Sequence, residues 1–158
     1  MPTINSLPLK DAKPTDRPHF LVWDTPNEAA LQQIVFYNNA QRVNYRDNLL
    51  SRTNPQESFL VLHQQIDREL NAIRGICSQC SFPVVILEEL DCLMTYLSIY
   101  GQKELFWQKL LNLRQLTSLL WILLPTKLIP DNLPPKRQLR IENFPKFALN
   151  SSEATEVK

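Results

Sequence analysis

Three short and almost uninterrupted apolar runs constrain the fold of this chain more than any other feature. They occupy residues 19–23, 82–87 and 119–124. Each run is far shorter than the ~20 residues that cross a bilayer, and each contains the β-branched or aromatic side chains that favour strands. Strands that are apolar on both faces are typical of parallel sheets covered by helices on each side. The runs therefore predict the buried strands of an α/β protein.

The segments between these runs carry helical signals. Thr25, Pro26 and Glu28 form a capping-box pattern, which predicts a helix that starts there and ends near residue 40. Asn54 and Pro55 repeat the start signal, and apolar residues spaced three and four apart predict a long amphipathic helix from there to residue 77. Further helices are expected over 90–99 and 103–116, with a break at the glycine between them.

Weaker strand patterns at 41–45 and 138–141 extend the sheet. Strands that alternate with helices predict a three-layer α/β sandwich with a mostly parallel central sheet. The length of 158 residues matches a single domain. We expect this domain over 19–147, between a proline-rich, flexible N-terminal arm at 1–18 and a short flexible C-terminal tail at 148–158.

Composition excludes some functional classes. The chain has two glycines, Gly75 and Gly101, and neither a G-x-G-x-x-G nor a G-x-x-x-x-G-K-[ST] phosphate loop can be written with them. Basic residues number 17 and acidic residues 16, so no overall electrostatic attraction to nucleic acid or to an anionic membrane is predicted.

Targeting signals and cysteines bear on the compartment. Prolines at positions 2, 8 and 14 interrupt the N-terminus, which lacks the continuous apolar stretch of a secretory signal. An odd number of cysteines, three, does not form the disulfide framework of a secreted protein. We therefore expect a cytoplasmic protein without membrane attachment.

Carboxylates follow the second apolar run. Glu88 and Glu89 come directly after it, and Asp91 lies two residues further on. Because ligands of open parallel sheets gather at the carboxyl ends of the strands, these three are the candidate catalytic residues, and Glu88 and Glu89 are the candidate metal ligands. A structural interpretation stays open beside this one: Glu89 and Asp91 favour the N-terminus of the following helix through its dipole.

The segment 84–93, VVILEELDCL, resembles the Walker B strand of AAA-type P-loop ATPases. That strand usually reads four apolar residues, Asp-Glu, an apolar residue and Asp. By this resemblance Glu88 takes the position that holds Mg²⁺, although the usual residue there is Asp, and Glu89 takes the position that activates the attacking water. The segment 120–127, LWILLPTK, resembles the sensor 1 strand of the same family. This second resemblance places Thr126 and Lys127 near the γ-phosphate, with Lys127 where the family usually has Asn.

The resemblance fails at the phosphate loop. The first strand is followed by WDTPNE at 23–28, where the family carries a glycine-rich Walker A loop with Lys-Thr. Asp24 and Glu28 bring negative charge to a place where a phosphate cradle needs backbone amides and a lysine, and Pro26 removes one of the amides. The segment 133–141, LPPKRQLRI, resembles the arginine-bearing stretch and edge strand that close the AAA core. The resemblance thus implies a P-loop NTPase-like fold without its nucleotide grip, as in degenerate ATPase domains that serve active ones as structural or regulatory partners.

These patterns predict a non-catalytic, pseudo-ATPase-like interaction or regulatory module that needs no cofactor. Its expected partner is a protein, either an active ATPase or a second copy of the chain. An enzyme remains the first alternative: a Mg²⁺-dependent nucleotide hydrolase would use Glu88, Glu89 and Asp91 with Mg²⁺ and ATP as its cofactors.

A nucleic-acid-binding accessory protein is the second alternative. It would use Lys136, Arg137 and Arg140 in the basic, proline-rich segment before the C-terminus. Trp107 is a candidate partner contact as well, because tryptophan is enriched in interfaces, although ordinary core packing remains the default interpretation.

Cys77 and Cys80 have the spacing of half a zinc knuckle. A structural zinc site needs four ligands, and no second close pair follows, although His63 and Cys92 could complete it in principle. We therefore expect both cysteines to be buried thiols.

Overall fold

A computed structural model of the chain describes residues 16–52 and 65–141. Within these ranges one sheet holds five strands: β1 (His19–Trp23), β2 (Ala40–Asn44), β3 (Val84–Glu88), β4 (Leu119–Leu124) and β5 (Gln138–Ile141). All neighbouring strands are parallel, in the order β2-β3-β4-β1-β5. β3 begins two residues later than predicted, at Val84, since Phe82 and Pro83 are exposed and a proline has no N–H for the ladder.

In the described ranges five α-helices cover the sheet: α1 (Glu28–Asn38), α2 (Tyr45–Arg52), α3 (Ile66–Gln79), α4 (Asp91–Ile99) and α5 (Lys103–Leu111). Helix α1 packs on one face, and residues of the other four helices form the core on the opposite face. The predicted α/β class is therefore confirmed, and the arrangement is consistent with a three-layer sandwich of the P-loop NTPase type.

Strand β1 illustrates why the strands are apolar throughout. Phe20 and Val22 pack into the core beneath α3 and α5, whereas Leu21 and Trp23 pack against α1. Successive side chains of a strand point to opposite faces, and both faces are covered here. All five residues of β1 are consequently buried.

Helix α1 begins later than the capping-box pattern predicts. The helix starts at Glu28, and the side chain of Asn27 accepts a hydrogen bond from the amide of Ala30 at 3.1 Å. The assignment of Thr25 as the cap and of Pro26 as the first helical residue is therefore wrong. Asn27 supplies the same kind of side-chain acceptor as Thr25, but it stands directly before the first helical turn.

Helix α5 ends earlier than predicted. The sequence pattern extends the helix to residue 116, but it ends at Leu111 with Asn112 as its C-cap. Gln115 takes a left-handed backbone conformation with φ of 61°, which no helical residue adopts. Leu113 and Leu116 are nevertheless buried, so the apolar spacing reports core contacts of a loop rather than a continued helix.

Several sequence predictions fall outside the described ranges. They are the residues around Asn54, the placement of His63, the arm up to residue 15, and residues 142–158, which include the expected tail. The prediction of one helix from Asn54 to residue 77 is wrong in its start, because α3 begins at Ile66 after the non-helical Gln65 and ends at Gln79. The last residues of the predicted arm are described: Asp16 accepts a hydrogen bond from the Gln115 amide at 3.1 Å, and Pro18 is buried. Within the described ranges no helix is long and apolar enough to cross a membrane.

Candidate functional site

The carboxyl ends of β1, β3 and β4 surround a cleft of about 260 Å³. Its position follows from the topology, because α1 leaves β1 toward one face of the sheet and α4 leaves β3 toward the other. Such divergence opens a crevice at the strand ends. The cleft is lined by Trp23, Asp24, Pro26, Asn27, Glu28, Leu31, Arg42, Glu88, Glu89, Asp91, Leu123, Leu124 and Pro125.

Arg42 on β2 is the central charged group of the cleft. Its Nε donates to Glu88 Oε2 at 2.6 Å and its Nη2 to Glu88 Oε1 at 2.9 Å. Its Nη1 also donates to Glu28 Oε2 at 2.6 Å. One guanidinium therefore joins the first turn of α1 to the end of β3, and we call this set the Glu28–Arg42–Glu88 network.

Both the strand register and the charges hold this network in place. Arg42 lies opposite Ile86 in the parallel pairing of β2 with β3, two residues before Glu88, so its long side chain reaches the strand end. The Arg42 and Gln32 hydrogen bonds lower the pKa of Glu28 below its ordinary value. Hydrogen bonds to Glu88 and Glu28 in turn raise the pKa of Arg42. Glu28 and Arg42 therefore stay charged around neutral pH.

A second link closes the cleft between β1 and β4. The Thr126 amide donates to Asp24 Oδ1 at 2.7 Å, and the Thr126 hydroxyl donates to Asp24 Oδ2 at 3.0 Å. These hydrogen bonds, from the amide first, lower the pKa of Asp24. Thr126 thus lies at the end of β4, as predicted, but its donors are engaged by the protein itself. Lys127 is exposed and does not line the cleft.

Glu89 and Asp91 form the remaining acidic wall. Glu89 is exposed and has a φ of 63°, a conformation that costs a residue other than glycine roughly 1 kcal/mol. Asp91 is half-buried in the first turn of α4, directly after the N-cap residue Leu90. The helix dipole favours a carboxylate at this position, in agreement with the structural interpretation of Asp91.

The cleft is strongly acidic and does not fit a Mg²⁺ ion held by Glu88. Five carboxylates face one guanidinium, and both oxygens of Glu88 already accept hydrogen bonds from that guanidinium. In residues 16–52 and 65–141, no group of three or more His, Cys, Asp or Glu side chains is arranged to hold a metal ion. The predicted carboxylates therefore line one cleft, and the Arg42 guanidinium binds both oxygens of Glu88.

Arg137 lies in the protein interior, so its prediction as a surface contact is corrected. Its Nε and Nη2 donate to the Pro18 carbonyl at 3.0 and 2.7 Å, and its Nη2 also donates to the Leu111 carbonyl at 3.2 Å. Leu111 O is at the C-terminus of α5, where the helix dipole favours a cation. Lys136 and Arg140 remain exposed.

Trp107 is likewise a core residue. It is buried on α5, and its ring lies 5.2 Å from the ring of Phe20 on β1, centroid to centroid. The core-packing interpretation therefore applies, and the structure offers no Trp107 surface to a partner.

The cysteines do not meet a set of metal ligands within the described part of the chain. Cys77 is buried at the end of α3, and burial raises the pKa of its thiol to about 12. Cys80 is partly buried and accepts a hydrogen bond from the Phe82 amide at 3.3 Å. Cys92 is exposed on α4. The expectation of a buried thiol thus holds fully for Cys77 and partly for Cys80.

Sequence reasoning missed Arg42, the residue that organises the cleft. Its strand pattern, AQRVN at 40–44, is weak. No local sequence pattern indicates that β2 pairs with β3. The one available signal was a lone basic residue on a strand that precedes an acidic strand end.

Comparison with known proteins adds no relative. No protein-family model matches the chain, and no curated protein matches it. The function therefore has to be argued from the fold and from the chemistry of the cleft.

Proposed function

We propose that this protein is a non-catalytic module of P-loop-like fold that acts through protein contacts, as a regulatory or assembly partner of another protein such as an active ATPase. The Glu28–Arg42–Glu88 network is the observation that carries the proposal. A P-loop ATPase holds phosphates at the helix after β1 and a cation at the end of β3. In this chain a guanidinium lies between these two places and is bound on both sides.

The start of α1 further disfavours phosphate. An anion at a helix N-terminus needs free backbone amides, but the Ala30 amide bonds to the Asn27 side chain, and Pro26 has no amide. The carboxylate of Glu28 also lies in this first turn. The site therefore carries negative charge where a nucleotide phosphate needs positive charge, and one of the amides at the helix start is already engaged.

The two alternatives have weaker support. A Mg²⁺-dependent hydrolase needs Glu88 as a metal ligand, whereas Arg42 binds both oxygens of that carboxylate. A nucleic-acid-binding surface at the C-terminal segment loses Arg137, which is buried on backbone carbonyls. Lys136 and Arg140 remain exposed, and Arg140 Nη1 donates to the Thr126 hydroxyl at 3.5 Å.

Equilibrium binding of a fluorescent ATP analogue to the full chain, with and without Mg²⁺, tests the proposal. We expect no saturable binding up to about 1 mM, a limit that corresponds to roughly −4 kcal/mol. The matched variant Glu89→Gln removes one cleft carboxylate and leaves the Glu28–Arg42–Glu88 network intact, so it is expected to bind no better.

A different pattern would establish the enzyme instead. Micromolar binding that requires Mg²⁺, with ATP turnover that Glu89→Gln abolishes, would assign Glu89 to water activation. The non-catalytic function would then be rejected.

A further inference from the structure

Two cysteines, Cys77 and Cys80, lie three residues apart at the C-terminal end of α3. The helix runs to Gln79, Cys80 is its C-cap, and the Cys80 amide donates to the Cys77 carbonyl at 3.3 Å. Residues three apart in a helical turn have their Cα atoms roughly 5 Å apart. A disulfide bond needs a Cα separation of about 4.4 to 6.8 Å. The backbone therefore holds the two cysteines at a separation that a disulfide bond accepts.

The side chains of the two cysteines lie on the same side of the helix end. Side chains three residues apart project from one face of a helix. Cys77 belongs to the core that α3 forms with the sheet, and Cys80 packs against that same core. All three cysteines of the chain are free thiols, so this pair is available for oxidation.

The two thiols differ in their access to solvent. Cys80 is partly exposed, whereas Cys77 is buried. Burial first, and the nearby Cys80 second, raise the pKa of the Cys77 thiol to about 12. Because the thiolate is the reactive form of a cysteine, Cys77 is protected from oxidants in solvent. It can react only with a sulfur that is held beside it at the edge of the core, and Cys80 provides that sulfur.

The thiol of Cys80 also connects the end of α3 to β2. Its Sγ donates to Gln41 Oε1 on β2 at 3.1 Å and accepts from the Phe82 amide at 3.3 Å. A disulfide has no S–H group, so oxidation removes the donor to Gln41. Oxidation at the end of α3 is therefore expected to release a contact with the strand that carries Arg42.

We propose that Cys77 and Cys80 form a reversible disulfide by exchange with a small disulfide such as glutathione disulfide. The Cys80 thiolate attacks one sulfur of glutathione disulfide, forms a mixed disulfide and releases one glutathione. The Cys77 thiol then gives up its proton to solvent and attacks the Cys80 sulfur, which expels the second glutathione. Two protein S–H bonds are replaced by one S–S bond, and glutathione disulfide is reduced to two glutathione molecules.

This disulfide is separate from the cleft and from the function proposed for it. Cys80 precedes β3, which begins at Val84, whereas the cleft lies at the carboxyl end of that strand. ATP binding and disulfide formation can therefore be measured independently.

Oxidation of the full-length Cys92→Ser variant with excess glutathione disulfide tests the proposal. Cys92 is exposed on α4, so its replacement removes an unrelated site of glutathione attachment. The reaction is stopped with acid, free thiols are alkylated with a maleimide, and the product is analysed by mass spectrometry. We expect the loss of two hydrogen atoms, no attached glutathione and no attached maleimide. Dithiothreitol is expected to restore both thiols.

Two further substitutions in the Cys92→Ser background separate the two steps. Cys77→Ala removes the second thiol, so Cys80 is expected to retain one glutathione. Cys80→Ser removes the accessible thiol, so Cys77 is expected to take up at least about tenfold less glutathione than Cys80 does in Cys77→Ala. Thermal melts verify that each variant stays folded.

Four results would overturn the inference. In Cys92→Ser they are a glutathione that stays on Cys80, two thiols that remain free in excess glutathione disulfide, or a disulfide that joins two chains instead of Cys77 and Cys80. The fourth is equal glutathione uptake by Cys77 in Cys80→Ser and by Cys80 in Cys77→Ala, which would show that the buried thiol does not depend on Cys80 for its reaction.

Discussion

Glu69 on α3 is a carboxylate without solvent exposure. The Tyr45 hydroxyl donates to its Oε1, Arg52 Nη2 donates to the same oxygen at 2.8 Å, and Arg68 Nε donates to its Oε2 at 3.2 Å. Burial of a charge is costly unless partners of opposite charge surround it. Arg52 and Tyr45 belong to α2, so this carboxylate ties α2 to α3.

Glu69→Gln is expected to lower the free energy of unfolding by about 3 kcal/mol at neutral pH, because it leaves Arg52 without its charged partner. Burial alone would raise the pKa of Glu69, but the hydrogen bonds from Arg52 and Tyr45 outweigh burial and hold this pKa below its ordinary value of 4.5. A lowered pKa stabilises the fold fully above pH 4.5 and progressively less below it. In urea unfolding, the free energies of unfolding of the wild type and of Glu69→Gln should therefore converge as the pH falls below that value. A difference that stays constant under acid conditions would contradict this role.

Arg137 is a buried charged residue with a structural role, because it donates hydrogen bonds to the Pro18 and Leu111 carbonyls. Arg137→Met is expected to destabilise the protein by about 2 kcal/mol, because the carbonyls of Pro18 and Leu111 lose their donors. The neighbouring Lys136 is exposed, so Lys136→Met should change the free energy of unfolding by less than about 0.5 kcal/mol. Equal effects of the two variants in urea unfolding would argue against the buried contacts of Arg137.

At the scale of elements, Asn27 and Thr25 both have side chains that can cap α1, but only Asn27 does so. Asn27→Ala is expected to cost about 1 kcal/mol of stability, because the Ala30 amide loses its acceptor. Thr25→Ala removes an exposed side chain outside the helix and should cost much less. Chemical unfolding of both variants checks the assignment. A larger loss of unfolding free energy in Thr25→Ala than in Asn27→Ala would show that Thr25 is the cap after all.

The strands could be predicted because both faces of the sheet are buried, so that each central strand is a continuous run of apolar residues. The helix ends were harder to predict. Thr25 and Asn27 can both accept a capping hydrogen bond, and only the path of the chain after β1 determines which of them precedes the helix. In α5 the apolar spacing continues through Leu113 and Leu116, which are buried in a loop, so periodicity alone placed the helix end too late.

The candidate site was predictable in part for a related reason. Glu88, Glu89 and Asp91 follow a strand that was evident from the sequence, and the rule for parallel sheets places them in the cleft. Arg42 was not predictable, because its role depends on β2 lying beside β3, a neighbour relation that no local pattern encodes. Trp107 was ambiguous, since the spacing in α5 does not say how much of the helix circumference the neighbouring elements cover.

At the scale of the whole molecule, the sheet brings acidic side chains from β1, α1, β3 and α4 to one edge and supplies a single arginine there from β2. Two internal links engage these side chains within the protein itself, one joining Arg42 to Glu28 and Glu88 and one joining Asp24 to Thr126.

The most direct measurement of this claim is an NMR titration of the isotope-labelled full chain with ATP and Mg²⁺ up to about 5 mM. It would follow the Arg42 Nε–H signal and the Thr126 amide, the donors at the two ends of the cleft. We predict that neither signal moves, because both donors stay on their carboxylates. A saturable shift of both signals would show that nucleotide displaces Glu88 and Asp24, and it would contradict the account.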